Sequence, residues 1–381
     1  SRWSGSDSWS NVADALSSVS SGLNYLALRT MEFGVLVISY ELVVFWLGPA
    51  ALFETGPWLF VLVFFWKDFT GYWIHRWAHA NSFLWAMHLI HHSSEEFNLA
   101  VALRQNALMF LPLAALGVPV EVLAVVAPLH FFMQFWYHTR HVGKLGWLEY
   151  VIITPSQHRV HHAINPRYID KNFGQIFCWD RVFGTFQEEL ESEPPAYGIT
   201  TPVRSYNPVG IELNYSFRLL RDAWCSTGMD RLRVFFSRTG WRPETARQRW
   251  PEPKIDYRKP EQKYRIELPA WRIFWGSLQL GALVVLMAWL LSQLGAVPVE
   301  QKYALLLFVV AGIYANTQQL MQAGAPWVEL VRLGLIVYLA LHSASSYMLV
   351  LLGALLAFSF AVTVLSRRRS ALYRPVLGAS S

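Results

Sequence analysis

Eight of the twelve histidines fall into three short groups: His75 and His79 in HRWAH, His88, His91 and His92 in HLIHH, and His158, His161 and His162 in HRVHH. Residues three and four apart on a helix are surface neighbours, with Cβ atoms about 5–6 Å apart, so each group is expected to converge its imidazoles on one point. Imidazole suits Fe, Zn, Cu and Ni, and one ion seldom takes more than about six ligands. Eight or more histidines therefore point to two metals. His138, in FWYHTR, is the ninth candidate ligand, whereas His130, His141 and His342 read as ordinary residues. A lone HxxxH pair is more often a chance feature of a helix. Three groups together reverse that reading.

Ligating imidazoles need partners that hold them. Outer carboxylates do so by accepting the second ring N–H. Candidates are Asp68, seven residues before His75, together with Glu95, Glu96, Asn98 and Asp180, with Arg104 placed to pair with one of the acids. The competing reading of each acid is a solvated surface charge, weakest for Asp68 because aromatic sequence surrounds it. Asp180, in WDRVFGTF, reads as a turn element supporting the third histidine group.

The elements that carry these groups are apolar. Hydrophobic residues make up 54% of the 381-residue chain and charged residues 15%, against about 25% charged in an average soluble domain. Too few charges remain to cover a water-facing surface. The net charge of +6 sits beside apolar segments, as on a cytoplasmic membrane face, and not in a lone basic module, which argues against nucleic acid. Cys178 and Cys225 have no CxxC spacing and are expected to be reduced. Residues 1–25 lack the basic-then-apolar layout of a signal peptide, so insertion is expected to rely on the first hydrophobic segment.

A spanning helix needs roughly 20 apolar residues. Met31 to Phe53 is one such run, residues 58 to 74 lead a second directly into His75, and two shorter ones fit between Asn106 and His138 with a bend at Gly117-Val118-Pro119, as short spans or a re-entrant hairpin. Four more follow at 270–293, 303–320, 327–342 and 346–365. The loops around Glu54, Glu121 and Ser343 hold no Lys or Arg, whereas residues 217–250 hold eight Arg against three acids and Arg367 to Arg369 close the last run. That basic face is expected to be cytoplasmic. The expected fold is an all-α integral membrane protein, a multi-span helical bundle with a cytosolic, histidine-rich di-metal helical cap. Its expected divisions are an N-terminal lead-in at 1–30, flexible or surface-lying over residues 1–22, a catalytic domain with membrane helices at 31–210, a basic cytosolic segment at 211–268, and C-terminal transmembrane helices at 269–381.

The pattern HxxxH, HxxHH, HxxHH resembles that of the fatty acid hydroxylase/sterol desaturase superfamily. DFTGYWIHRWAH, HHSSEEFNLAVALRQ, QFWYHT, TPSQHRVHH, DKNFG and WDRVFGTF look closest to its alkylglycerol monooxygenase branch and bacterial relatives, over about residues 65 to 210. The resemblance implies two irons held by the histidines, with zinc a possible substitute in a preparation, O₂ as co-substrate, and a lipid substrate. In that branch the carbon beside an ether oxygen is hydroxylated and the hemiacetal collapses to an aldehyde and a free hydroxyl. The electrons there come from tetrahydrobiopterin; a ferredoxin or reductase is the other donor class. The implied location is a bacterial inner membrane, or the endoplasmic reticulum in a eukaryote, with the site facing the cytoplasm. The histidines alone leave open a hydroxylase or desaturase of sterols, carotenoids, ornithine lipids or fatty acyl chains. A reading of another class is a transporter or scaffold holding structural zinc, against which stands the position of the histidines at the end of a span and not at the midplane.

Overall fold

The computed structural model describes residues 12–28, 30–31, 55–104, 118–252, 255–259, 263–264, 266, 268–321, 325–342 and 346–370. Most of the first expected span, Met31 to Phe53, and residues 106 to 117 of the third lie outside these. Among the described residues the backbone is helical, and β structure is limited to two isolated antiparallel bridges, Ile152 with Phe177 and Ala163 with Tyr197. The chain forms two compact units. One comprises the described residues within Ser1–Glu32, Ser205–Gly210 and Arg265–Ser381; the other, those within Phe33–Arg204 and Ile211–Tyr264.

The first unit is a bundle of α1 (12–28), α10 (Ala270–Ser292), α11 (Val299–Leu320), α12 (Pro326–Leu341) and α13 (Ser346–Ser370). Its core is a continuous apolar cluster that includes Leu283, Met287, Leu290, Leu305, Phe308 and Ile313. A fully buried side chain of this kind contributes about 1.5–3 kcal/mol. Among the described residues, α10 and α11 are long and apolar enough to cross a membrane; Glu121–Phe135 and Met348–Val362 are shorter apolar helices. The expected lead-in behaves differently. Residues 12–28 are helical, and Leu23 and Ala27 sit in the bundle core. The serines that suggested a flexible segment, Ser17, Ser18 and Ser20, are fully buried; small side chains let helices approach closely.

The second unit carries all three histidine groups. α2 (Pro57–Ala80) starts with Pro57 in the first turn, where a missing N–H costs nothing, and ends at Asn81. Asn81 also caps α3 (Ser82–His92): its side-chain oxygen accepts from the backbone N–H of Phe83 (3.0 Å) and Leu84 (3.1 Å). One residue thus closes one helix and opens the next. α4 (Val120–Phe135) packs against α2 through Val118, Val122 and Val126 facing Leu59 and Val63. The short α5 (Pro155–His161) begins at Pro155 after Thr154, and α6 (Trp179–Phe183) ends at Gly184 with φ of 72°, the left-handed region that glycine adopts without strain. α7 (Pro208–Trp224, from Ile211 onward in this unit), α8 (Asp230–Phe236) and α9 (Glu244–Arg249) complete it.

Candidate metal centre

Helix packing brings nine histidines into two groups. His75, His79, His88, His92 and His161 form one; His91, His138, His158 and His162 form the other, the ligating atoms in each lying within 4.8 Å of one another. They are the eight positions singled out by spacing together with His138, the ninth candidate. The difference from expectation lies in how they are shared. Each HxxHH segment is divided: its first and last histidines go to one group and the middle one to the other. At 100° per residue, positions i and i+4 stand 40° apart on the helix while i+3 and i+4 stand 100° apart. Helix α3 therefore gives His88 and His92 to the five-histidine group and His91 to the other. α5 does the reverse, sending His158 and His162 one way and His161 the other.

Within the groups the Nε2 atoms converge. His92 Nε2 stands 3.0 Å from that of His88, 3.1 Å from that of His79 and 3.1 Å from that of His161. In the second group His158 Nε2 is 2.8 Å from His138 and 3.0 Å from His162. Nitrogen ligands about 2.1 Å from one ion and at right angles stand about 3.0 Å apart, so the spacing fits shared coordination. Among the described residues the Nε2 of His75 is buried without a hydrogen-bond partner, as an atom reserved for a metal would be. Burial first, with neighbouring imidazoles second, holds His88, His91, His92, His158, His161 and His162 well below the ordinary value of 6.5. They are neutral, the form that ligates.

The second ring nitrogens are fixed chiefly by backbone carbonyls. Nδ1 of His75 donates to Phe173 O (2.8 Å), His91 to Arg104 O (2.9 Å), His138 to Gln134 O (3.0 Å) and His161 to Lys171 O (2.9 Å). A carbonyl only accepts, so the proton lies on Nδ1 and the Nε2 lone pair faces the group. His79 Nδ1 lies 3.7 Å from the carboxylate of Asp170. The turn after α5, with Asp170 at φ 58° and Asn172 at φ 55°, thus supplies partners to His75, His79 and His161.

The expected outer acids act one step further out. Asp68, fully buried, accepts from the backbone N–H of Ile176 (2.9 Å) and Phe177 (3.2 Å) and the indole of Trp179 (2.7 Å). Asp180 accepts from the N–H of Phe173 (2.7 Å) and Gly174 (2.8 Å) and from Thr185 Oγ1 (2.5 Å). Among the described residues neither bonds a histidine. Together they clamp the segment whose Phe173 carbonyl holds His75. A carboxylate satisfied by two or three short N–H donors orders backbone, whereas the imidazoles find their acceptors nearer by. Glu96 pairs with Arg140 and with Lys263 (3.2 Å), and Glu95 accepts from Tyr264 N (2.7 Å). Asn98 caps the 3₁₀ turn Leu99–Leu103 through Ala100 N (2.9 Å), and Arg104 reaches Ser93 Oγ (2.7 Å) while its carbonyl holds His91. His130 bonds the Phe64 carbonyl (3.0 Å), outside both groups.

Sequence reasoning missed Asp170 and Arg159. Arg159 is buried between His158 and His161, makes three bonds to the Glu189 carboxylate (2.7, 2.9 and 3.2 Å), and donates to the carbonyls of Thr139 (3.0 Å) and Val142 (2.7 Å). An arginine inside a histidine group was the available signal. A small cavity opens beside the centre, about 30 Å³, enough for a water-sized molecule. It is lined by His75, His88, His91, His138 and His158 together with Arg104, Gln134, Tyr137, Gly174 and Gln175.

Residues 60–185, which contain all nine histidines, match the family model described as fatty acid hydroxylase. The resemblance read from the histidine spacing is therefore borne out, and this segment is a domain of the fatty acid hydroxylase type. Among individual proteins, the chain is 37% identical over 245 residues to the alkylglycerol monooxygenase of Homo sapiens, covering 60% of this chain and 53% of that protein. It is 38% identical over 253 residues to that of Xenopus tropicalis, covering 63% and 55%. An ornithine lipid hydroxylase of Rhizobium tropici is 30% identical over 145 residues, covering 36% of this chain and 44% of that one. The chain spans about half the length of the alkylglycerol monooxygenases it matches. No solved structure matches it.

Proposed function

We propose that the protein is a membrane-bound di-iron lipid monooxygenase that hydroxylates the ether-adjacent carbon of alkylglycerols. The observation that carries this is the pair of histidine groups within a fatty acid hydroxylase domain. His75, His79, His88, His92 and His161 would hold one iron and His91, His138, His158 and His162 the other. When bound, iron supplies the reductive activation of O₂ that no side chain provides. One oxygen atom enters the C–H bond and the other leaves as water, with two electrons and two protons drawn from a donor, tetrahydrobiopterin or a ferredoxin system. The hydroxylated ether carbon is a hemiacetal, which expels the glycerol oxygen and leaves an aldehyde.

The chain's own residues orient and shield. The carbonyls of Phe173, Arg104, Gln134 and Lys171 aim the imidazoles. Arg104, Gln134, Tyr137 and Gln175 add polar side chains to the lining of the water-sized cavity beside the centre. The spans α10 and α11 and the basic face support a multi-pass membrane location with the centre on the cytoplasmic side. The deciding experiment supplies nanodisc-reconstituted protein with O₂ and alkylglycerols, using either donor class. Aldehyde release is the expected result. Turnover of ornithine lipids or sterols with none of alkylglycerols would replace the substrate while keeping the chemistry.

A further inference from the structure

Helices α7 and α8 expose an apolar stripe. On α7, Leu213, Phe217, Leu220 and Trp224 follow one another at intervals of four, three and four and all face outward, Phe217 at 63% and Trp224 at 87% exposure. After a short turn at Gly228, with φ of 55°, Met229, Leu232 and Phe236 continue the pattern on α8, Phe236 at 70%. The opposite faces are already used: Ile211, Tyr215, Leu219 and Val234 are buried in one cluster with Leu89 and Ile90 of α3. The outward stripe is thus a second apolar face on helices whose core-facing side is complete. An exposed apolar row of this kind marks an interaction surface.

We propose that this stripe lies in the headgroup region of an anionic bilayer, with α7 and α8 as an in-plane anchor separate from the spanning helices. Three observations select lipid as the occupant. The stripe is made of Leu, Phe, Trp and Met, and Trp, Phe and Leu are the residues that the buried face of an in-plane helix presents to the acyl boundary. Residues 217–250 hold eight Arg and three acids, and Arg231, Arg238 and Arg249 are exposed with no ion pair among the described residues, which complements lipid phosphates. In-plane helices combine such an apolar face with basic residues.

The anchor is joined to the metal centre. Ser82 N donates to Ser237 O (3.0 Å), Asn81 Nδ2 to Phe236 O (3.2 Å) and Ser82 Oγ to Arg238 O (3.3 Å). The exit of α8 is thereby pinned to the start of α3, the helix bearing His88, His91 and His92. The depth of the stripe sets the height of the centre above the lipid chains, whichever lipid is oxidised.

The test places nitroxide labels on the full chain in nanodiscs containing anionic phospholipid, using Phe217→Cys, Trp224→Cys and Phe236→Cys in a Cys225→Ser background, with Gln248→Cys on exposed α9 as the reference. Labels at 217, 224 and 236 should collide with O₂ and be shielded from an aqueous nickel chelate, while 248 shows the reverse. Equal access of the chelate to all four positions would overturn the proposal. So would shielding from both reagents, the signature of protein contact; spin–spin broadening that disappears on dilution with unlabelled chain would then identify the occupant as a second copy.

Discussion

The Nδ1 of His75 donates to the carbonyl of Phe173 at 2.8 Å, across 98 residues of sequence. Phe173 is itself held at its N–H by Asp180, and the segment that follows by Asp68. A candidate metal ligand on α2 is therefore aimed by a loop that two carboxylates immobilise.

Replacing either acid should act through that loop. Asp180→Ala leaves the N–H groups of Phe173 and Gly174 and the Thr185 hydroxyl without their acceptor, at about 1–3 kcal/mol for such a buried group. Metal affinity should fall about 10–100-fold, the usual effect of losing an outer partner of a ligand. Metal titration of the stripped variant measures this, and an unchanged affinity would show that the Phe173 carbonyl does not need its clamp.

Metal content should report the division of the histidines. Wild-type protein is expected to hold about two irons per chain. His138→Ala removes one of four ligands from the smaller group and should lower the content toward about one, with membrane insertion retained. His88→Ala touches the larger group, and either variant should abolish turnover. Inductively coupled plasma analysis alongside an insertion assay tests both, and wild-type rates in either would remove that group from the site.

Acid should destabilise the metal-stripped protein. Burial depresses the six imidazoles of α3 and the third group below 6.5 in the folded chain, so the unfolded chain binds more protons once the pH drops under about 6.5. Stability is then full above that value and lost below it, at up to about 1.4 kcal/mol per pH unit for each histidine. Unfolding of chelator-treated protein between about pH 7.5 and about pH 5.5 reads the slope; a flat profile contradicts neutral, buried imidazoles.

Gly174 admits no side chain. A Cβ there would stand 2.6 Å from Ile153 Cδ1 and 2.7 Å from the carbonyl oxygen of Phe177. Gly174→Ala must move backbone inside the clamped segment, an overpacking cost of about 1–3 kcal/mol. Thermal unfolding should show the loss, accompanied by weaker metal retention than a surface substitution such as Gly143→Ala, which meets open space.

Eight of the nine histidines were legible because helical spacing is a local rule written into the sequence, and His138 by its place at the end of an apolar run. The division of each triplet was not, since it depends on where α2, α4 and the opposing helix place their own imidazoles. The outer partners were hidden for another reason. Main-chain carbonyls have no side-chain identity, so the roles of Phe173, Lys171 and Gln134 left no mark beyond the turn residues of DKNFG. Asp68 stood out by its aromatic setting, yet only the fold revealed that its acceptors serve a loop and not a ligand. The serine-rich start misled because small polar side chains suit both a loose lead-in and tight helix packing.

His91 and His92 are neighbours in the chain and serve opposite groups, as do His161 and His162. One peptide bond therefore joins the two histidine groups on each side, at His91–His92 and at His161–His162, so the interval between the groups is tied to the chain at two places. Substitutions in the cavity lining can reshape the space beside the groups without altering that interval. Changing it would require moving both pairs of neighbouring histidines at once, so the paired spacing acts as a fixed gauge for the two groups.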